Sequence, residues 1–261
     1  MKRRVADLVG NATGTVIATR WELHQLPERE HLRKFFEYFH IGCVFDVGAN
    51  AGQHAEKLRT MIGFKGAIIS FEPIPEMAAK LRLKAARAPN WHVVETALDR
   101  TAGTASFNVM ADTQFSSLHA PLGDQLQMLA EQNTVTRVIE VQRSTLAVEL
   151  PKWRKKLGFK RPFLKIDTQG NDLAVVEGAG DLIDEFVGLQ SELSMRPLYD
   201  GSVGFVDSLN AYKAAGFEPS GIVPNTQGHF PVLMEMDCIM YRPDCAATAA
   251  ALRPDSGVAL P

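Results

Sequence analysis

Cysteine is scarce in this sequence. Its three cysteines among 261 residues, Cys43, Cys238 and Cys245, are too few and too widely spaced for a disulfide framework or a zinc site. Cys43 and Cys238 lie in apolar runs, where a cysteine is usually a small core residue. The sequence therefore favours a reducing compartment, and we expect a cytoplasmic protein.

The sequence also lacks an excess of charge of one sign. Lysine and arginine number 28, aspartate and glutamate number 30, and the net charge is −2. This balance offers no general attraction for nucleic acid, so we expect no nucleic-acid partner. We interpret the local basic stretch from Pro151 to Arg161 as a solvated connector, with binding of an acidic partner as the less favoured interpretation.

Long apolar runs are missing as well. No segment approaches the roughly 20 apolar residues of a membrane span, so we expect no transmembrane segment. The first 20 residues begin basic, but Asp7 and Gly10 interrupt their apolar run too early for a signal peptide. A capping helix on the domain is the favoured interpretation. The alternative is an amphipathic helix that makes peripheral contact with the inner face of an anionic membrane.

What the sequence does contain is a regular alternation of apolar strands and helical segments. Strands are predicted at "CVFDV", "AIISFEP", "WHVVETAL", "FLKID" and "FVGLQSEL". Residues 100–145 interrupt the alternation with two half-polar strands and a long polar loop, and "FEPSGIV" and "DCIMYRP" form a closing strand pair. We therefore predict an α/β fold, a parallel sheet with helices on both faces and an antiparallel insertion midway.

The predicted organisation has three parts. An N-terminal helical extension covers residues 1–40, in which residues 28–40 have the spacing of an amphipathic helix. The main domain covers residues 41–244. A flexible tail rich in small residues covers 245–261.

Acidic residues end five of the predicted strands. They are Asp46, Glu72, Asp99, Asp167 and Glu192. Ligands of open α/β sheets bind beyond the carboxyl ends of the strands, so this edge is the expected site. Any one of these acids could merely cap the next helix, but five are harder to explain in that way.

The turn after the first strand has the pattern G-x-N-x-G, which differs from the dinucleotide fingerprint G-x-G-x-x-G. Asn50 tolerates left-handed backbone angles, so the turn survives the replacement of the middle glycine. The nearby Asp46 disfavours a phosphate and favours a cationic ligand. Glu72, 20 residues after Gly52, could accept two hydrogen bonds from a ribose diol. This combination suits S-adenosylmethionine, and a nicotinamide-dependent enzyme on a similar sheet is the alternative.

The motifs "VFDVGANAGQHA", "ISFEPIPEMAAKL", "ALDRTAGTASF", "SSL", "FLKIDTQGND" and "ELSMRPLYDG" resemble those of the FkbM-type S-adenosylmethionine-dependent methyltransferases. The resemblance runs from about Cys43 to Tyr199. It implies a class I methyltransferase fold, a Rossmann-like seven-stranded sheet whose last strand is antiparallel. It also implies O-methylation, commonly of a sugar hydroxyl in a glycolipid, polysaccharide or secondary metabolite.

The resemblance also implies roles for individual residues around the cofactor. The turn would hold the methionine part, Glu72 the ribose, the segment ending at Asp99 the adenine, and the "SSL" loop would approach cofactor and acceptor. The implied cofactor-binding residues are Asp46, Gly48, Ala49, Asn50, Gly52, Glu72, Pro73, Ala97, Leu98, Asp99, Ser116 and Ser117.

A sugar hydroxyl is a poor nucleophile, so a general base or a metal ion should assist the transfer. The candidates are Asp167, Glu192, His119 and His229. Asp167 could instead bind a divalent metal, although "KIDTQG" has Gln169 where the family often has a glutamate, which weakens that case.

The remaining expectations concern single side chains and partners. Lys165 is expected to pair with an acid, and His54 is expected on a helix surface. Tyr199 and Arg196 either contact an acceptor sugar or pack structurally. The acceptor is a small molecule or a glycan, and a homodimer is left open. A catalytically inactive binding module on the same fold is a further alternative, which the intact set of Asp46, Glu72 and Asp99 argues against.

Overall fold

The computed structural model describes residues 23–123, 127–225 and 231–246. The strands are β1 Cys43–Val47, β2 Ala67–Phe71, β3 Trp91–Val94, β4 Ala97–Leu98, β5 Gly103–Met110, β6 Val135–Ser144, β7 Pro162–Ile166, β8 Gly188–Ser194, β9 Glu218–Asn225 and β10 Glu235–Tyr241. The α-helices are α1 Leu26–Phe39, α2 Gln53–Lys57, α3 Pro75–Ala85, α4 Gln127–Ala130, α5 Leu146–Leu157, α6 Asp172–Glu177 and α7 Phe205–Ala214.

Seven strands form the main sheet in the order β3-β2-β1-β7-β8-β10-β9. The neighbours from β3 to β8 pair in parallel, and β10 runs antiparallel to both β8 and β9. This arrangement confirms the α/β fold and the antiparallel last strand. Because the parallel strands end at one edge, the predicted acidic positions are brought to that edge.

The insertion forms a separate small sheet in the order β4-β6-β5. β5 and β6 pair antiparallel, as predicted. The prediction of one strand through "WHVVETAL" is wrong, because β3 belongs to the main sheet and β4 to the small one. The chain turns at Thr96, whose hydroxyl donates to Gln142 O of β6 and draws the following residues onto the small sheet.

The basic stretch from Pro151 to Arg161 is not a connector, because most of it lies in α5. Thr145 caps this helix by accepting from Val148 N. Leu146, Leu150 and Trp153 recur on one buried face, and this burial holds the helix despite the proline inside it. The basic side chains occupy the other face of the helix. The spacing of the apolar residues was the sequence signal that indicated a helix here.

α1 is the amphipathic helix that the spacing of residues 28–40 predicted, and it packs on one face of the main sheet. The Phe163 ring of β7 lies 5.3 Å from the Phe35 ring and 5.1 Å from the Phe36 ring, both at steep angles. Phe39 and Leu32 are buried in the same cluster. This packing fixes the helix against the sheet and places its first turn, with Glu28, beside the carboxyl edge. Among the described residues, no helix is long and apolar enough to cross a membrane.

Phe163→Ala should lower the free energy of unfolding by about 3–5 kcal/mol, because a fully buried ring that joins α1 to the sheet is lost. Urea denaturation would measure the change. The matched control is Leu83→Ala, which truncates an exposed α3 side chain and should cost less than about 0.5 kcal/mol. Equal losses for the two variants would contradict the packing described for α1.

Candidate active site

A cavity of about 820 Å³ opens at the carboxyl edge of the main sheet. Its walls come from the ends of β1, β2, β7, β8 and β10, with α1 and the loop after β5 closing two sides. From β2 to β10 the edge covers four interstrand steps, or about 19 Å. The volume lies within the range of about 300–1,000 Å³ that is usual for small-molecule sites, and the length leaves room for two ligands side by side.

The turn after β1 brings the backbone close to β7. Gly48 has φ +76°, and a Cβ placed there would lie 1.8 Å from Asp167 O, so only glycine fits. Ala49 N donates to Phe71 O of β2, and Asn50 adopts φ +45°. Gly48, Ala49 and Asn50 all line the cavity. Their contact with the methionine part of a cofactor stays a prediction.

Two of the residues predicted to hold the cofactor at this turn, Asp46 and Gly52, do not line the cavity. Asp46 is fully buried beneath the turn, where its Oδ2 accepts from Ser70 Oγ at 2.9 Å. Burial raises the pKa of Asp46, and Lys165 opposes the increase. At Gly52, a Cβ would lie 2.5 Å from the Leu81 side chain. Asp46 therefore supports the turn from below, and Gly52 allows α2 to pack closely.

Glu72 lies in the cavity wall at the end of β2, next to Pro73. Its Oε2 accepts from Asn50 N at 2.7 Å and its Oε1 from Ile74 N at 2.8 Å. Burial raises the pKa of Glu72 to about 7, although these two hydrogen bonds favour the ionised form. The carboxyl thus links the glycine turn to the second strand end.

The predicted adenine segment is divided by the structure. Ala97 and Leu98 line the cavity, whereas Asp99 points to the small sheet and pairs with Arg143 at 2.5 Å. Asn171, which the sequence analysis missed, lines the cavity. Its Nδ2 lies 3.4 Å from both Leu98 O and Asp99 Oδ1. Its position five residues after Ile166 on the β7 loop was the available signal.

The "SSL" loop contributes Ser116 and Leu118 to the cavity lining. Ser116 lines the cavity and accepts from Met110 N, while Ser117 is buried and donates to Gln169 O at 2.7 Å. The second serine therefore joins this loop to the β7 loop. Tyr199 is also buried, and its hydroxyl lies 2.8 Å from Gln169 Oε1, so its contacts are structural.

Asp167 lies in the cavity wall with both carboxyl oxygens engaged. Lys165 Nζ donates to Oδ2 at 3.1 Å and Gln169 Nε2 donates to Oδ1 at 2.8 Å. Burial alone would lower the pKa of Lys165, but the Asp167 and Asp46 carboxylates outweigh it and raise the pKa. The expected pairing of Lys165 with an acid is confirmed, and Asp167 is held in one orientation.

Glu192 faces Asp237 across the β8–β10 pair, on the cavity side of the sheet. Gln169 Nε2 lies 3.4 Å from Glu192 Oε2. Glu235 of β10, which sequence reasoning missed, hydrogen-bonds to Glu192, and burial followed by the Asp167 charge raises the pKa of Glu235 to about 7. Two carboxyls therefore share a hydrogen bond in the cavity wall. Only the strand pairing brings Glu235 there, so no local sequence pattern pointed to it.

The histidines are distributed differently from the prediction. His119 lies outside the cavity lining, with Nε2 3.2 Å from Asn171 Oδ1. His229 lies outside the described residues. The placement of His54 on the helix surface is wrong, because its ring lines the cavity. Burial holds the pKa of His54 well below its ordinary value, and the positive charges of Lys165 and Lys57 lower it further.

The chemistry of the lining fits a cationic cofactor. Seven carboxylates and two lysines line the cavity. Across the described ranges, no three histidine, cysteine, aspartate or glutamate side chains are arranged to hold a metal ion. A parallel sheet with an antiparallel last strand, a glycine turn and an acid at the second strand end is the arrangement expected of the class I methyltransferase fold.

Comparison with known families agrees. Residues 46–219 match the methyltransferase FkbM domain, which is two thirds of the chain, so the chain belongs to the FkbM methyltransferase family. A search of curated proteins found no match.

Several solved structures are similar in overall shape. The FkbM methyltransferase of Methylobacillus flagellatus KT has a TM-score of 0.46 and 14% identity, over 77% of this chain and 44% of that one. Magnesium protoporphyrin IX methyltransferase of Synechocystis PCC 6803, with bound S-adenosylmethionine, has a TM-score of 0.47 and 10% identity, over 92% of this chain and 96% of that one. The chain thus spans less than half the length of the FkbM structure.

Lys165→Met should lower the free energy of unfolding by about 3–5 kcal/mol, because it leaves the buried Asp46 without its cation. The double variant Lys165→Met/Asp46→Asn should recover part of this loss, since the uncompensated charge is then also removed. Urea denaturation of the parent, single and double variants would measure both effects. Lys84→Met, which breaks an exposed pair with Glu56, is the control and should cost about 1 kcal/mol or less. The coupling between Lys165 and Asp46 would be contradicted if the double variant lost as much free energy of unfolding as the single variants Lys165→Met and Asp46→Asn lose together.

Proposed function

We propose that the protein is an O-methyltransferase whose acceptor is a sugar hydroxyl of a glycolipid, polysaccharide or secondary metabolite. The observation that carries the proposal is the division of the cavity. Its β1–β2 side presents the glycine turn and Glu72, and its β8–β10 side presents carboxyl and amide groups. Carboxylates and amides are the groups that bind several neighbouring hydroxyls by hydrogen bonds.

The β1–β2 side would hold the cofactor, which supplies the methyl group when it is bound. Gly48, Ala49 and Asn50 would lie against its methionine part and Glu72 against the ribose hydroxyls, with Ala97 and Leu98 flanking the adenine. Four of the predicted residues lie outside the cavity lining: Asp46, Gly52, Asp99 and Ser117. They would act indirectly, by fixing the positions of the turn, the end of β4 and the "SSL" loop.

The β8–β10 side would bind the acceptor and remove its hydroxyl proton. Both carboxyl oxygens of Asp167 already accept hydrogen bonds, from Lys165 and from Gln169, so they are less available to an acceptor hydroxyl. Glu192 shares a hydrogen bond with Glu235, whose pKa is raised to about 7. We therefore assign the general base to Glu192, with Glu235 as the residue that shares its proton. Asp167 would orient the neighbouring groups and stabilise positive charge.

His119 is less well placed for the base, because its ring meets Asn171 behind the lining. Membership of the methyltransferase family decides against the nicotinamide alternative. An acceptor in a glycolipid would bring the protein to the inner face of a membrane, so the peripheral contact remains part of the proposal.

The ribose assignment predicts a pH-dependent affinity for S-adenosylhomocysteine. The pKa of Glu72 is raised to about 7, so the carboxyl is ionised above that pH and gains a proton below it. The ionised form accepts hydroxyl donors better, so the dissociation constant should rise as the pH falls from about 8 to about 6.

Glu72→Gln should weaken binding about tenfold or more at pH of about 8 and reduce this pH dependence. Calorimetric titration with S-adenosylhomocysteine would measure both quantities. Glu76→Gln, on the exposed first turn of α3, is the matched control and should behave like the parent. An unaltered pH profile in Glu72→Gln would rule out Glu72 as the ribose ligand.

The acceptor class can be tested in a strain that lacks the gene. Mass spectrometry of its glycolipids and polysaccharides should show a species that is lighter by one CH₂ group than in the parent strain. The parent gene should restore the methylated species. A Glu192→Gln gene should restore little, because removal of a general base costs about 10²–10⁴ in rate. Unchanged glycans and a methyl group missing from a lipid or protein instead would refute the sugar acceptor.

A further inference from the structure

Three residues form one wall of the cavity on its acceptor side: Glu28 of α1, Gln190 of β8 and Asp237 of β10. We propose that this wall, here called the acidic wall, binds a protonated amino group. The acceptor would then be a hydroxyl compound that also carries an amine, of which an amino sugar is the simplest case. The proposal rests on the proposed function and narrows its acceptor class.

The geometry of the acidic wall is set by one amide. Gln190 Nε2 donates to Glu28 Oε1 at 2.9 Å and to Asp237 Oδ1 at 3.0 Å. Because both oxygens contact the same nitrogen, they lie no more than about 6 Å apart. One small cationic group can therefore be close to both carboxylates.

The amide oxygen of Gln190 is the second observation. Gln190 is 2% exposed and lies in the cavity wall, and no donor among the described residues reaches its Oε1. Both of the contacts described above use Nε2, so the amide cannot be turned over without placing its oxygen against two carboxylates. A buried acceptor without a donor is costly, and an ammonium group offers three N–H donors.

The charges of the cavity favour the same ligand. The lining contains seven carboxylates and two lysines, and both lysines are already paired, Lys57 with Glu28 and Lys165 with Asp167. Burial raises the pKa of Asp237 to about 6, and the Glu28 and Asp167 charges add to the increase. Hydrogen bonding from Gln190 and the charge of Lys57 oppose it. An added cation would relieve this repulsion, whereas an anionic acceptor would increase it.

The methionine ammonium of the cofactor does not account for the acidic wall. The glycine turn follows β1, and Asp237 lies on β10, three interstrand steps or about 14 Å away along the sheet. Glu28, moreover, precedes the matched family region of residues 46–219. The wall is thus formed in part by this chain's own N-terminal helix.

Binding of three related sugars would test the proposal. D-Glucosamine, D-glucose and D-glucose 6-phosphate are titrated by calorimetry into the full chain saturated with S-adenosylhomocysteine, at about pH 7. D-Glucosamine should bind about tenfold more tightly than D-glucose, and the phosphate should bind most weakly. Asp237→Asn should remove the preference for the amine and leave the affinity for S-adenosylhomocysteine within about twofold of the parent.

Asp207→Asn, an exposed change in the first turn of α7, is the control and should keep the preference. Equal affinities for D-glucosamine and D-glucose in the parent, or no binding of D-glucosamine at its highest soluble concentration, would overturn the proposal. An unchanged preference in Asp237→Asn would do the same. If S-adenosylhomocysteine itself failed to bind the parent, the proposed function would fail first, so the two failures are distinguishable.

Discussion

The site depends on a single buried ammonium group. Lys165 Nζ lies 3.1 Å from Asp167 and 4.0 Å from Asp46, and the pKa of the lysine is raised because these carboxylates outweigh its burial. Without this cation, Asp46 would place an uncompensated charge under the glycine turn. With it, the ends of β1 and β7 are joined from below, and the turn can approach Asp167 closely.

Lys165 belongs to a row of paired residues that runs across neighbouring strands of the main sheet. Asp46 pairs in register with Ser70 and with Lys165, and Lys165 pairs with Gln190. The polar side chains of this row lie beneath the cavity, while the aromatic cluster around Phe163 lies further along the same face under α1. One face of the sheet is thus apolar where it meets a helix and polar where it borders the cavity. Within the row, Ser70 donates to Asp46, and Lys165 lies 4.0 Å from the same carboxylate.

Much of the β1–β2 side of the cavity could be predicted from the sequence. The apolar strand before Asp46, the G-x-N-x-G turn and the spacing to Glu72 are local patterns, and backbone sterics alone require small or left-handed residues in the turn. The β8–β10 side of the cavity could not be predicted in this way. Glu235 and Asp237 lie in a half-polar strand near the end of the chain, and only its antiparallel pairing with β8 places them beside Glu192.

The sequence by itself determined the class of the protein. The alternation of apolar strands and helices is sufficient to predict the α/β sheet, and the motifs between about Cys43 and Tyr199 carry the resemblance to the FkbM family. Only the tertiary structure decided which polar groups line the cavity. It buried Asp46, turned Asp99 towards Arg143, brought His54 into the cavity and joined Glu28 to Gln190. The physical reason is that sequence periodicity encodes the face of a strand or helix, whereas hydrogen bonds and charge neighbours depend on contacts between distant segments.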